Sequence, residues 1–68
     1  MTVYDIMKAI GRYEEFEITL NGVDITDGHK VRVADIDNEN EERDVVWDAM
    51  DADVTVVNVK DKRVYCEW

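Results

Sequence analysis

One cysteine, Cys66, and one histidine, His29, constrain this 68-residue chain more than any other feature. A lone cysteine cannot form an intrachain disulfide. One cysteine and one histidine cannot supply the usual four ligands of a structural zinc site. Nothing covalent or metallic staples the fold, so a single hydrophobic core must hold it. At this size a domain buries only about 60% of its unfolded surface, and that core is marginal. Hydrophobic residues make up 46% of the chain, enough to fold one domain spanning residues 1–68. Pairing with a second copy, a homodimer, or with a larger partner would add to a core of this size. Small secreted domains rely on several disulfides, so a reducing, cytoplasmic setting is the expectation. No apolar run approaches the ~18 residues of a membrane span, and no basic segment precedes a hydrophobic stretch at the N-terminus.

The local patterns predict an α+β fold. Thr2 is placed to cap a helix, with Asp5 three residues on. Val3, Ile6, Met7 and Ile10 then recur at helical spacing, and Gly11 stops the helix by accepting a left-handed conformation. Ile6, Met7 and Ile10 are expected to pack on a sheet. Phe16, Ile18 and Leu20 alternate with polar residues as in a half-buried strand. Asn21-Gly22 is a strong signal for a two-residue hairpin turn, with Val23 and Ile25 returning as a short strand. Asp27-Gly28 marks another turn, and Val31 and Val33 alternate with Lys30 and Arg32 as a further strand. Near the C-terminus, Val54, Val56 and Val59 lie in a β-branched run. Lys60-Asp61-Lys62 makes a turn, and Arg63 to Trp68 closes the final hairpin. The order α-β-β-β-α-β-β predicts a small antiparallel sheet of about four or five strands packed on one or two helices.

Charge is distributed unevenly. The chain carries 17 acidic and 8 basic residues, a net −9. Residues 35–53 hold nine of the acids against one base, Arg43, so −8 of that charge is local. The segment also has an apolar face, Val45, Val46, Ala49 and Met50. This predicts a helix from about Glu41 to Ala52 with Asn38 or Asn40 as its cap. A strand remains the alternative, because Val45, Trp47 and Ala49 also alternate. On a helix, Glu41, Asp44, Asp48 and Asp51 fall within a stripe roughly 80° wide. Neighbours three and four apart lie about 5–6 Å apart, comparable to successive phosphates along a nucleic-acid strand. Such a row can occupy the phosphate sites of a basic groove, and Trp47 beside it can anchor an interface. The other reading of a charge run is a solvated face that keeps a small protein dispersed. Asp35, Asp37 and Glu39 extend the acidic set. They do not match a calcium-binding loop, which needs glycine at position six and an acid at position twelve. Asn40 and Val46 stand there.

The same balance bears on function class. A strongly acidic chain lacks the basic surface that binds phosphates, so direct nucleic-acid and anionic-membrane binding are disfavoured. A basic protein is the electrostatic complement. The chain has no serine, and its single histidine and single cysteine lack a catalytic setting. His29 reads as a surface loop residue and Cys66 as a small strand residue. No catalytic residue, metal ligand or cofactor is expected.

In size, acidity, the opening helix Thr2-Val3-Tyr4-Asp5-Ile6-Met7 and the acidic stretch from Asp35 to Asp53, the chain resembles a class of phage and mobile-element proteins. These are short acidic inhibitors of host nucleic-acid enzymes, such as anti-CRISPR proteins and the phage inhibitor of uracil-DNA glycosylase. The resemblance covers the chain in outline. It implies a stoichiometric nucleic-acid mimic, acting in the host cytoplasm, that blocks the basic groove of a DNA- or RNA-binding protein such as a CRISPR effector nuclease. The candidate partner-binding residues are then Asp35, Asp37, Glu39, Glu41, Asp44, Trp47, Asp48 and Asp51. The alternative is a small phage or bacterial accessory or assembly module that binds a partner without mimicry.

Overall fold

Thr2 starts the first helix as the sequence predicts. Its hydroxyl accepts the Asp5 backbone N–H at 3.2 Å, satisfying one of the donors that a helix start leaves unpaired. The computed structural model describes all 68 residues, beginning with this helix, α1 (Val3–Ile10). There follow β1 (Glu17–Leu20), β2 (Val23–Asp24), α2 (Val33–Asp37), α3 (Asp44–Ala49), β3 (Asp53–Asn58) and β4 (Arg63–Glu67). The α+β class and the elements at both ends of the chain agree with the sequence pattern. No helix is long and apolar enough to cross a membrane.

The sheet has four strands in the order β2-β1-β4-β3. Two of its three pairings are antiparallel hairpins, β1–β2 and β3–β4. The expectation of a wholly antiparallel sheet fails in the middle, where β1 and β4 run parallel with Ile18 opposite Val64 and Leu20 opposite Cys66. The two hairpins lie side by side, and the helices supply the long connection that a parallel pairing requires.

Turn chemistry is as expected. Asn21 and Gly22 both take positive φ, 51° and 83°, the combination a two-residue turn needs to match strand twist. At the other hairpin Lys62 has φ 56°, and Asn58 Oδ1 accepts the Asp61 N–H at 3.0 Å. Gly11 ends α1, but with φ 158° and ψ 126° rather than in the left-handed conformation.

The predicted strand at Val31 and Val33 is not formed. Val31 makes a single bridge with Phe16, through N–H to O distances of 2.8 and 2.9 Å. Val33 already begins α2. Both valines are fully buried, so the core uses them without extending the sheet.

One face of the sheet carries Ile18, Leu20, Val64 and Cys66, and all three helices contribute apolar side chains to the same cluster. Alpha-1 does so through Val3 and Met7, both fully buried. Ile6 is half-buried and Ile10 is 38% exposed, so these two do not pack as expected. The reason lies in how α1 is anchored. Val3 N–H and Tyr4 N–H donate to the carbonyls of Ala52 and Met50, both at 3.1 Å. This fixes the first turn so that Val3 and Met7, one turn apart, face the core, with Ile6 at the margin of that face and Ile10 at the exposed end of the helix. The opposite face of the sheet is uncovered. There Arg63 bridges Thr19 Oγ1 at 2.9 Å and Glu17 Oε2 at 3.1 Å.

Candidate partner-binding surface

The acidic segment folds into α2, a turn and α3, and this divides its carboxylates into two groups. Three are neutralised within the chain. Asp35 receives both Nε and Nη2 of Arg32, at 3.2 and 3.0 Å. Asp37 accepts the Tyr4 hydroxyl at 2.6 Å and lies 3.4 Å from Arg12 Nη2. The hydrogen bond to that carboxylate holds the Tyr4 phenol above its ordinary pKa, with burial adding to the effect. Glu41 pairs with Arg43 at 2.6 Å, and its side chain is only 9% exposed.

The remaining six acids of the segment, Glu39, Glu42, Asp44, Asp48, Asp51 and Asp53, are exposed and form no ion pair. All four arginines of the chain are engaged elsewhere: Arg12, Arg32 and Arg43 as above, and Arg63 with Glu17 and Asp24. Surface pairs of this kind contribute only about 0.2–1 kcal/mol each. Their importance here is that they leave no arginine for α3.

The helical reading of residues 44–49 is the one observed, and the strand alternative falls. Val46, Ala49 and Met50 turn into the core, which is a helical i, i+3, i+4 set. Asp44 and Asp48 lie one turn apart on the outward side, and Asp51 follows in the turn after the helix. The helix is shorter than predicted at both ends. Asn38 closes α2 instead of capping α3, and Arg43 stands at the α3 N-cap without a side-chain cap. Glu41 therefore lies outside the helix and is held by Arg43, and the expected four-carboxylate stripe contracts to Asp44 and Asp48 on the helix, with Asp51 exposed in the turn beyond it. Trp47 sits alongside them, 36% exposed, with its indole N–H donating to the Glu41 carbonyl at 2.7 Å. Its hydrogen-bonding need is met internally, which leaves part of the ring as apolar contact surface.

Arg43 is a residue whose role the sequence did not signal. Its Nη1 reaches the carbonyls of Thr26 and His29, at 3.2 and 2.9 Å. Its guanidinium is held above its ordinary pKa by the Glu41 carboxylate. A shallow depression of about 340 Å³ lies here, lined by His29, Asn40, Glu41, Glu42 and Arg43. It has no hydrophobic lining, so it is suited to water and not to an apolar ligand. No group of three or more histidine, cysteine, aspartate or glutamate side chains is arranged to hold a metal ion. None of the internal counter-ions is legible in the sequence pattern: Arg32 falls in the predicted strand, and its i, i+3 approach to Asp35 exists only once α2 forms. Arg12 and Tyr4 reach Asp37 through tertiary packing of α1 on α2.

Cys66 is buried on β4, and burial pushes its thiol above the ordinary range. That is the reverse of what activates a cysteine nucleophile.

No family model, curated protein or solved structure matches the chain. The fold and this surface define a small α+β domain with one acidic helix face that no cation of its own chain pairs with.

Proposed function

We propose that this protein is a non-catalytic inhibitor of a DNA- or RNA-binding protein, such as a CRISPR effector nuclease. It acts as a nucleic-acid mimic, with Asp44, Asp48 and Asp51 standing where phosphates would lie in the target's basic groove. Glu39 and Glu42 add to the field that steers encounter, and Trp47 supplies the apolar contact. The observation that supports this reading is the division of the acidic segment. Asp35, Asp37 and Glu41 are matched by arginines, whereas the outward row on α3 is left without a counter-ion. A partner's lysines and arginines complete that row. The partner is thus basic, and the setting is the cytoplasm in which the target works.

The test is affinity for a captured nucleic-acid-binding target across a salt series. Wild type is compared with Asp44→Lys/Asp48→Lys and with Glu15→Lys, an exposed acid outside the segment. Mimicry predicts that affinity falls as salt rises, that cognate nucleic acid competes, and that only the α3 reversal abolishes binding. Equal affinities for all three proteins, or a ternary complex with nucleic acid, would exclude it.

A second reading is a partner-binding accessory module without mimicry. It is favoured by the uncovered sheet face, where Val56 is 55% exposed opposite Tyr65. On that reading Val56→Asp weakens partner binding and the α3 reversal does not.

A further inference from the structure

We propose that Asn21-Gly22 is a self-modification site, at which the asparagine converts to aspartate and isoaspartate whenever the β1–β2 hairpin opens. Three features of the turn point to this. The Gly22 N–H donates no hydrogen bond, so the nucleophile is free. Gly22 has no side chain, and nothing lies within 4 Å of where a Cβ would stand. The Asn21 side chain accepts the Trp68 backbone N–H on Oδ1 at 3.1 Å, while its Nδ2 has no partner. A hydrogen bond on that oxygen draws electron density from Cγ, and the amide nitrogen is open to protonation by solvent.

The step balances with water as the only co-reactant. The Gly22 nitrogen gives up its proton to solvent and bonds to Asn21 Cγ. The Cγ–Nδ2 bond breaks, and Nδ2 leaves as ammonia. The resulting five-membered imide then adds water at either carbonyl. Opening at one restores the main chain with aspartate, and opening at the other leaves isoaspartate, with an extra methylene in the backbone.

The fold gates the reaction. Asn21 and Gly22 both hold positive φ in the closed turn, and the Asn21 side chain is tied to the Trp68 N–H, so the rotations about Asn21 ψ and χ1 that bring Cγ to the Gly22 nitrogen are restrained. Ring closure therefore waits for the turn to open. Little holds it shut. Beta-2 has two residues, both exposed, paired only as Thr19 with Asp24 and Leu20 with Val23. The main reinforcement lies just beyond. Thr26 Oγ1 accepts the Ile18 N–H at 3.2 Å and donates to Asp24 Oδ1 at 2.9 Å. Local opening of so short a hairpin needs far less free energy than global unfolding. Asn38, Asn40 and Asn58 precede Glu39, Glu41 and Val59, whose side chains obstruct the same attack.

The test is peptide mass mapping of the full chain held in mildly alkaline buffer. Asn21 is expected to lose its amide before the other three asparagines, and more slowly in the native protein than in denaturant. Isomerisation at Asp27-Gly28 leaves mass unchanged and does not interfere. Thr26→Val loosens the hairpin and should speed conversion at Asn21 about tenfold, equivalent to about 1.4 kcal/mol in the opening equilibrium. Asn38 and Asn40 should be unaffected. Asp24→Ala weakens the same turn from an exposed position and serves if Thr26→Val does not fold. An Asn21 that keeps its amide as long as Asn38 would overturn the site. Equal rates in native and unfolded chains would overturn the gate.

Discussion

Arg43 closes on Glu41 through Nε and Nη2, at 2.6 and 3.3 Å, while its Nη1 holds the carbonyls of Thr26 and His29. One guanidinium thus ties the start of α3 to the loop after β2. The same contact takes Glu41 out of the acidic surface. The segment's only internal base neutralises a structural carboxylate and leaves the α3 row unpaired.

Removing that clamp should be measurable. Arg43→Ala is expected to lower stability by about 1–2 kcal/mol, at or below the bottom of the range for hydrogen bonds to charged groups, because the side chain is part-exposed. Glu41→Gln should cost less, since the bonds to Thr26 and His29 survive. The check is the denaturant midpoint at unchanged slope.

The α3 carboxylates should separate by their place on the helix. Asp44 lies in the first turn, where the helix dipole favours an anion, and Asp48 lies in the last, where it does not. Asp48→Lys is expected to raise stability by about 0.3–1 kcal/mol, and Asp44→Lys to lower it slightly. Thermal midpoints at low salt read this out, and high salt should shrink both shifts.

Burial along α1 sets a third expectation. Met7→Ala removes a fully buried side chain and should cost about 2–5 kcal/mol, enough to unfold much of a domain this small. Ile10→Ala, at a 38% exposed position, should leave the protein folded with only a small loss. Denaturant titration of the two variants side by side makes the comparison. Equal losses would contradict the placing of Met7 in the core and of Ile10 at its edge.

Acid should loosen the first hairpin before the core. The Asp24 carboxyl is held below its ordinary range, chiefly by the Thr26 hydroxyl, with help from the Asp27 and Thr26 backbone N–H groups and from Arg63. A depressed carboxyl contributes stability above its unfolded pKa, near 3.9, and that stability is lost as pH falls through the folded value. Amide exchange at Thr26 and Asp27 should therefore rise below about pH 4, ahead of exchange at Val64. Asp24→Asn should abolish this pH dependence.

Local pattern suffices for several elements here. Thr2 with its apolar period makes α1, Asn21-Gly22 makes one turn, Lys60 to Lys62 makes another, and the i, i+3, i+4 set Val46, Ala49 and Met50 makes α3. Each depends on residues within about one helical turn or one strand repeat of each other, and nearest-neighbour sterics and hydrogen bonding act at that range. The concentration of acid between Asp35 and Asp53 is likewise visible in the chain itself.

Other features arise only when distant segments meet. Val31 and Val33 alternate like a strand, yet once Phe16 has taken Val31 there is no further edge to extend. Ala34 N–H then donates to the Arg12 carbonyl at 2.9 Å and the chain turns into α2. The parallel contact of β1 with β4 has no signature in either strand, because alternation defines a face and not a neighbour. At Thr55 a bulge shifts the register, so that Val54 faces Cys66 and Val57 faces Val64 while Val56 turns outward. Thr55 Oγ1 bonds the Tyr65 carbonyl at 3.1 Å at that point. The division of the acids follows the same logic. Which carboxylates remain free on the surface depends on where Arg12, Arg32 and Arg43 arrive, and their arrival is set by packing α1, α2 and the loop after β2 on one core.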